Sequence, residues 1–193
     1  MIADLEITDN WLLSKMANQT LALTDIIHAN GYYIMTSSNT ATPLFKSNNY
    51  QVWSTTGWFV PFGTDEADVE FDKKRLIASA LSLNAVVEHN GTYVAVGDDI
   101  IVSDDLAYWY ERYVFEIANC KFHDVTYVDI PGFTGFVAVG VEGLNNGLVF
   151  TSTDGEIWTD VTPSPSYNFY GVTSDYNRVY VVGKNSIFSS ADL

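Results

Sequence analysis

Four times along this chain the same short grammar returns, and that repetition constrains the fold more than any other feature. Two β-branched or aromatic runs around a turn come first. A serine follows, with an acid or amide two positions on. In three copies a tryptophan stands four residues later still: Ser47/Asn49/Trp53, Ser103/Asp105/Trp109 and Ser152/Asp154/Trp158. The fourth copy reads Ser190/Asp192, with no tryptophan after it. Successive serines are 56, 49 and 38 residues apart, the length of a unit of four short strands. A unit of that size cannot bury its apolar face alone, so neighbouring copies must stack.

Within each copy the apolar period is two. Tyr93-Val-Ala-Val, Phe136-Val-Ala-Val and Val179-Tyr-Val-Val each run to a glycine, at Gly97, Gly140 and Gly183, and such alternation marks strands. Asn30-Gly31, Asn90-Gly91 and Asn146-Gly147 are hairpin signals, because both central residues of a type I′ turn need positive φ. Helical periodicity is missing. The best helical stretch, 73–83, is interrupted by serines and has no capping pattern. The expected fold is all-β: a small β-propeller of four blades, each of four antiparallel strands. Blade 1 spans 21–58, blade 2 spans 59–110 with a long connection, blade 3 spans 111–160, and 161–193 give the inner strands of blade 4. Because the fourth copy lacks its tryptophan, Trp11 and the segment near 5–16, within 1–20, are expected to supply the outer strand of the last blade. A ring closed from both ends leaves no free sheet edge.

The segment Thr151-Ser-Thr-Asp-Gly-Glu-Ile-Trp-Thr resembles the Asp-box, or bacterial-neuraminidase repeat, of sialidases and many other β-propellers. It is most similar to the shorter Ser-x-Asp-Gly-x-x-Trp form seen in phage and bacterial proteins. Asn49 replaces the acid in the first copy, and the glycine after the acid is present only in the third. Serine and aspartate side chains cap the backbone donors of a tight turn, and a following tryptophan packs between blades. The resemblance implies structural roles, away from any catalytic face, for Ser47, Asn49, Trp53, Ser103, Asp105, Trp109, Ser152, Asp154, Trp158, Ser190, Asp192 and Trp11.

Charge and cysteine content narrow the function. Nine Lys+Arg against 24 Asp+Glu leave a net charge of −15, which excludes the basic face that nucleic acid or an anionic membrane requires. The one cysteine, Cys120, rules out an intrachain disulfide. The acidic start lacks the features of a signal peptide, and no apolar run is long enough to insert into a membrane. The resemblance to the phage form of the repeat implies a virion as the expected location; otherwise the cytoplasm is expected. Arg75, Arg112 and Arg178 are the only arginines available to clamp a carboxylate in the sialidase manner. The Arg-Ile-Pro-like start of that family is absent, and its six-bladed ring needs about twice this length. Cys120 and His123, three apart on a strand, face opposite sides. His28, His89 and His123 lack ligand spacing. Asp98-Asp99 with Asp104-Asp105, and the acidic run 65–72, lack the alternating loop of a calcium site. No catalytic residue, cofactor or metal is expected, and the chain is expected not to be an enzyme.

Aromatic residues outside the boxes suggest where binding occurs. Trp58 and Phe62 head the long connection, and Tyr167, Phe169 and Tyr170 follow the Pro163-Ser-Pro linker. Exposed aromatics on propeller loops stack on sugars or anchor protein partners. The expected function is a structural or binding module of a phage virion (tail, baseplate or head decoration). It would dock on another protein of the assembly or on a host surface glycan. A carbohydrate-binding or sialidase-like glycosidase module and a cellular protein-interaction propeller stay as alternatives.

Overall fold

The structure, a computed structural model, describes the backbone of residues 2–8, 11–16, 22–56, 58–60, 81–112, 120–144 and 146–193. Side chains are described for 22–56, 81–112, 120–144 and 146–193. Phe62, Arg75 and the acidic run 65–72 lie outside the described residues, as do the side chains of Trp11 and Trp58. Blade 1 is the meander β3 (Leu23–Ala29), β4 (Tyr32–Ser37), β5 (Leu44–Ser47) and β6 (Ser54–Thr55). Blade 2 is β8 (Leu83–His89), β9 (Thr92–Gly97), β10 (Ile100–Ser103) and β11 (Tyr108–Glu111). Blade 3 is β12 (Cys120–Ile130), β13 (Phe133–Glu142), β14 (Asn146–Ser152) and β15 (Thr159–Asp160). Blade 4 is β16 (Phe169–Ser174), β17 (Val179–Gly183) and β18 (Ser186–Ser190). Every pairing within these meanders is antiparallel. The described residues contain no helix. This is the all-β, bladed architecture of a propeller.

Two strands fall elsewhere than expected. β7 (Trp58–Val60) lies parallel to β11, with Tyr108 opposite Trp58, and so makes a fifth, outermost strand of blade 2. The N-terminal strand does not complete blade 4, so the expected closure is not seen. β2 (Trp11–Met16) pairs with β1 (Ile2–Thr8), and β18 pairs only with β17 among the described residues. The hairpin closes a two-residue loop, whereas pairing with β18 would bring together segments roughly 170 residues apart at a much larger entropic cost.

The core is divided into three seams. One cluster joins blades 1 and 2 through Ile34, Leu44, Tyr93, Ile101 and Trp109. A second joins blades 2 and 3 through Val94, Ile100, Phe136, Phe150 and Trp158, and a third joins blades 3 and 4 through Val139, Val149, Phe169 and Val181. Among the described residues no such cluster joins blade 4 to blade 1, so the described blades make an arc held by three seams. Exposure tells the same story. Val139 and Val149 of blade 3 are 0% and 3% exposed, whereas their repeat equivalents Val182 and Ile187, on the far side of blade 4, are 44% and 75% exposed.

The innermost strands carry a device that no motif announced. β3, β8, β12 and β16 each slip register once, leaving Thr24, Asn84, His123 and Tyr170 as the extra residue of a β-bulge. These four side chains bridge adjacent blades. Thr24 Oγ1 donates to the Leu83 carbonyl at 2.8 Å, Asn84 Nδ2 to the Phe122 carbonyl at 2.6 Å, and His123 stands 5.3 Å from the Tyr170 ring. Beside two of the bulges a carboxylate reaches across as well. Asp25 accepts the Val86 N–H at 2.9 Å, and Asp124 accepts the Val172 N–H at 2.8 Å.

The glycines that end the runs have a packing reason. A Cβ at Gly97, Gly140 or Gly183 would stand 1.9, 2.2 or 2.3 Å from the carbonyl oxygen of Ser82, Lys121 or Asn168, where the chain leads into the inner strand of the same blade. In blade 1 the equivalent position is Ser37, which is buried.

Candidate functional site

Four serine-led turns sit between the third strand of each blade and the segment that follows. In blade 3, Ser152 Oγ accepts the Gly155 N–H at 2.8 Å, while one oxygen of Asp154 accepts Glu156 N–H and Ile157 N–H at 2.8 and 3.0 Å. Asp105 accepts Ala107 N–H and Tyr108 N–H in the same way. Asn49 does so with its amide oxygen, at 3.0 Å to Gln51 and Val52. One acceptor oxygen serves both bonds, so the turn needs no charge and asparagine suffices. Partial burial works against the Asp154 charge, but the Ile157 and Glu156 N–H groups hold its carboxyl below the usual carboxylate range. The third residue after each serine's own position takes positive φ: Tyr50 +50°, Leu106 +61° and Gly155 +83°. Only the third copy puts there a glycine, which adopts that conformation without cost.

Trp109 and Trp158 pack in the seams, and two of the three indoles bond back to their own turns. Trp158 Nε1 donates to the Gly155 carbonyl at 2.8 Å and Trp53 Nε1 to the Tyr50 carbonyl at 2.9 Å. Trp109 is 0% exposed, yet its Nε1 finds no hydrogen-bond partner among the described residues. In blade 4, Ser190 Oγ contacts the Asp192 carbonyl, and the Asp192 N–H donates to Ser190 Oγ at 3.3 Å.

Beside that last turn lies an apolar groove of about 420 Å³. Val149, Val161 and Pro163 of blade 3 form one wall, Val179, Val181 and Phe188 of blade 4 the other, and Ser190, Asp192 and Leu193 edge its mouth. Its walls are mainly apolar, and β18 contributes Phe188 and Ser189 to them. Two further hollows differ from it, one polar and one of mixed lining. One, of about 340 Å³ between blades 2 and 3, holds Arg112 against Glu156 at 2.5 Å, with Asp104 and Asp154 nearby. The other, of about 490 Å³, is bounded by Tyr167, Asn168, Lys184, Asn185 and Ser186.

The residues singled out for chemistry are not brought together. Arg112 spends its charge on Glu156 and lies over the Tyr110 ring at 5.1 Å, while Arg178 donates to Ser189 within blade 4. Asp98-Asp99 and Asp104-Asp105 occupy opposite ends of β10. Cys120 packs against the blade 2–3 seam, whereas His123 faces Tyr170. Burial, reinforced by Asp99, Glu142 and Asp98, pushes the Cys120 thiol up to about 11, so it keeps its proton at neutral pH. Among the aromatics, Tyr167 and Tyr170 are exposed. Phe169 is not a surface residue. It is 0% exposed and packs edge-on against Phe188, because alternate residues of β16 point into the seam.

Asp99 offers a pH test of this edge of blade 2. Burial pushes its carboxyl up to about 6 against the bond from Ile100 N–H that lowers it, and Glu111 and Asp98 add repulsion. A carboxyl with a raised folded pKa binds its proton more tightly when folded. Its contribution is therefore fully present below about 4 and is lost as the pH climbs through about 6. Asp99→Asn is expected to match the parent in thermal melts at pH 4 and to exceed it at pH 7.5. The gain is on the order of 2–3 kcal/mol. Equal melting at both pH values would refute this.

The described residues thus form a bladed, propeller-like arc with an apolar groove between blades 3 and 4. Neither a protein-family model nor a curated protein matches the sequence. Among solved structures, YCF48 bound to a D1 peptide is similar with a TM-score of 0.54 and 13% identity, over 97% of this chain and 57% of that one. This chain thus spans little more than half the length of that propeller-like protein. An alpha-L-arabinofuranosidase (CtGH43) from Clostridium thermocellum aligns with a TM-score of 0.46 and 12% identity over 91% of this chain and 70% of that one. A protein assigned as a glycoside hydrolase from Parabacteroides distasonis aligns with a TM-score of 0.38 and 12% identity, over 90% and 67%. The likeness is one of fold. It gives the phage-virion reading no support. The expectation that the chain is not an enzyme is corrected here: glycoside hydrolases stand among the similar structures, so that exclusion does not hold, and at this identity no enzymatic role is established either.

Proposed function

We propose that this chain is a binding module that docks an extended segment of a partner protein between blades 3 and 4. The observation that carries the reading is the apolar groove between blades 3 and 4 lying beside β18, which pairs only with β17 among the described residues. An apolar slot orients a side chain, and a free edge supplies backbone hydrogen bonds, the pairing of features by which sheets take up peptides. YCF48, which shares the fold, was solved with a peptide of another protein. The net charge of −15 favours a basic or neutral segment.

The reading is tested by panning a displayed library of random heptapeptides on the immobilised full chain. Binders are expected, and both Leu193→Arg and Phe188→Ala are expected to weaken them. Binders indifferent to both changes, or no binders at all, would overturn it.

A glycan reading is favoured by one feature, the hollow at Tyr167. Its amide-rich wall includes a buried Asn168 Oδ1 without a partner among the described residues, and Tyr167 offers an exposed ring for stacking. Glycan-array binding abolished by Tyr167→Ala, with no peptide enriched, would select this reading instead.

A further inference from the structure

We infer that the hollow bounded by Tyr167 and the turn between β17 and β18 binds an acidic sugar, a uronate whose carboxylate pairs with Lys184. This rests on the glycan reading above. It is separate from peptide docking, since the hollow and the apolar groove share no lining residue.

Comparison between blades shows that this position is not built for packing alone. Matching the bulge residues Asn84, His123 and Tyr170 makes Tyr167 the blade 4 equivalent of Leu81 and Cys120. Matching Ser152 with Ser190 makes Ser186 the equivalent of Leu148. In blade 3 the position is sealed: Leu148 is 4% exposed, and Cys120 packs against the same cluster. Leu81 likewise packs against the cluster of its own seam. In blade 4 a serine and an exposed tyrosine stand instead, around a hollow of about 490 Å³. Ser186 shares with Phe188 the face of β18 turned to blade 3, because alternate residues of a strand point the same way.

The lining has hydrogen-bonding capacity to spare. Asn168 Nδ2 is fixed on the Leu144 carbonyl of blade 3 at 3.1 Å. Its Oδ1 and the Ser186 Oγ are both buried with no partner among the described residues. Such atoms are costly to leave unpaired, and the hydroxyls of a sugar suit both, since Oδ1 accepts and Oγ donates or accepts. Asn185, held at φ +58° in the tight turn, adds an amide, and Tyr167 offers its ring to a sugar face. Lys184 decides the class. Among the described residues it is the one charged group lining the hollow, in a chain whose net charge is −15. With no carboxylate in that lining, its ammonium is available to a carboxylate carried by the sugar.

Three probes separate the contributions: sodium D-glucuronate, D-glucose, which keeps the ring without the carboxylate, and sodium acetate, which keeps the carboxylate without the ring. Amide NMR titrations of the ¹⁵N-labelled full chain are expected to show saturable shifts at Asn168, Lys184, Asn185 and Ser186 with glucuronate. Glucose is expected to bind at least about tenfold more weakly, and acetate not to saturate. Lys184→Gln is expected to bring glucuronate down to the level of glucose with the thermal melt unchanged. Ser186→Leu, which copies blade 3, is expected to abolish binding of both sugars without lowering the melt. If that variant melts early, Tyr167→Ala is read in its place. Equal binding of glucose and glucuronate at these amides would sink the acidic-sugar inference and leave the glycan reading standing. Acetate binding as well as glucuronate would sink it too, leaving a bare ion pair. Silence of all three probes, while array glycans still bind and are lost on Tyr167→Ala, would overturn it and keep the glycan reading. Silence of probes and array alike would sink both. Glucuronate binding indifferent to Lys184→Gln and Ser186→Leu would overturn the assignment to this hollow.

Discussion

Gly140→Ala is expected to lower the melting temperature by about 10 °C. The added methyl would start 2.2 Å from the Lys121 carbonyl oxygen and 2.7 Å from the Phe122 Cα, and both are backbone atoms. Relief requires β12 to move away from β13 along a ladder that runs from Cys120↔Glu142 to Ile130↔Phe133, and β12 also packs on blades 2 and 4. Overpacking of this kind costs about 3 kcal/mol, and at this chain length each kcal/mol is worth roughly 2–4 °C. Thermal melts followed by circular dichroism measure it. A shift below about 3 °C would show that the blade absorbs the methyl, contrary to close packing of the interior.

Trp109→Ala is expected to be as damaging, and Trp109→Phe far less so. Trp109 is wholly buried in the seam between blades 1 and 2, so truncation removes its contacts with Ile34, Leu44 and Tyr93 and leaves a cavity. The cost is about 4 kcal/mol. Phenylalanine keeps most of the apolar volume and removes an N–H that has no partner among the described residues, so its cost stays at or below about 1.5 kcal/mol. Trp158→Phe is expected to cost more than Trp109→Phe, because it also deletes the 2.8 Å bond to the Gly155 carbonyl. Denaturant melts of the three variants give the order, and a reversal between the two phenylalanine variants would refute the reasoning.

Much of the fold was legible in the sequence because its signals are local. Strand periodicity, the Asn-Gly turns at 30–31 and 90–91 and the glycine-ended runs depend on residues a few positions apart, and the meanders follow from them. Asn146-Gly147, expected as a third such turn, instead opens β14, paired with Glu142 and Val141. The bulges at Thr24, Asn84, His123 and Tyr170 were not legible, since an extra residue in a strand of mixed composition leaves no mark until its partner is known. The parallel pairing of β7 was hidden for the same reason: Trp58 and Tyr108 are neighbours only through a long connection. The burial of Phe169 shows the limit of reading aromatic clusters, because Tyr167 and Tyr170, close to it in sequence, are both exposed. The groove was not legible, since Trp11 and its strand were expected there. The sequence shows a box without its tryptophan, but which valines face that position depends on how blades 3 and 4 meet.

The arc has a consequence for how the chain comes apart. Three seams, each shared by two neighbours, make stability a sum of links, as in a linear array of repeats. Among the described residues, blades 2 and 3 are held on both sides, while blades 1 and 4 are each held by a single seam. Unfolding therefore begins at the ends and travels inward, and damage in one terminal blade is felt at the other only after the middle has given way. A strand captured beside β18 would act on this sequence of events as a clamp on one loose end, raising the cost of the first opening and leaving the far blade as free to fray as before.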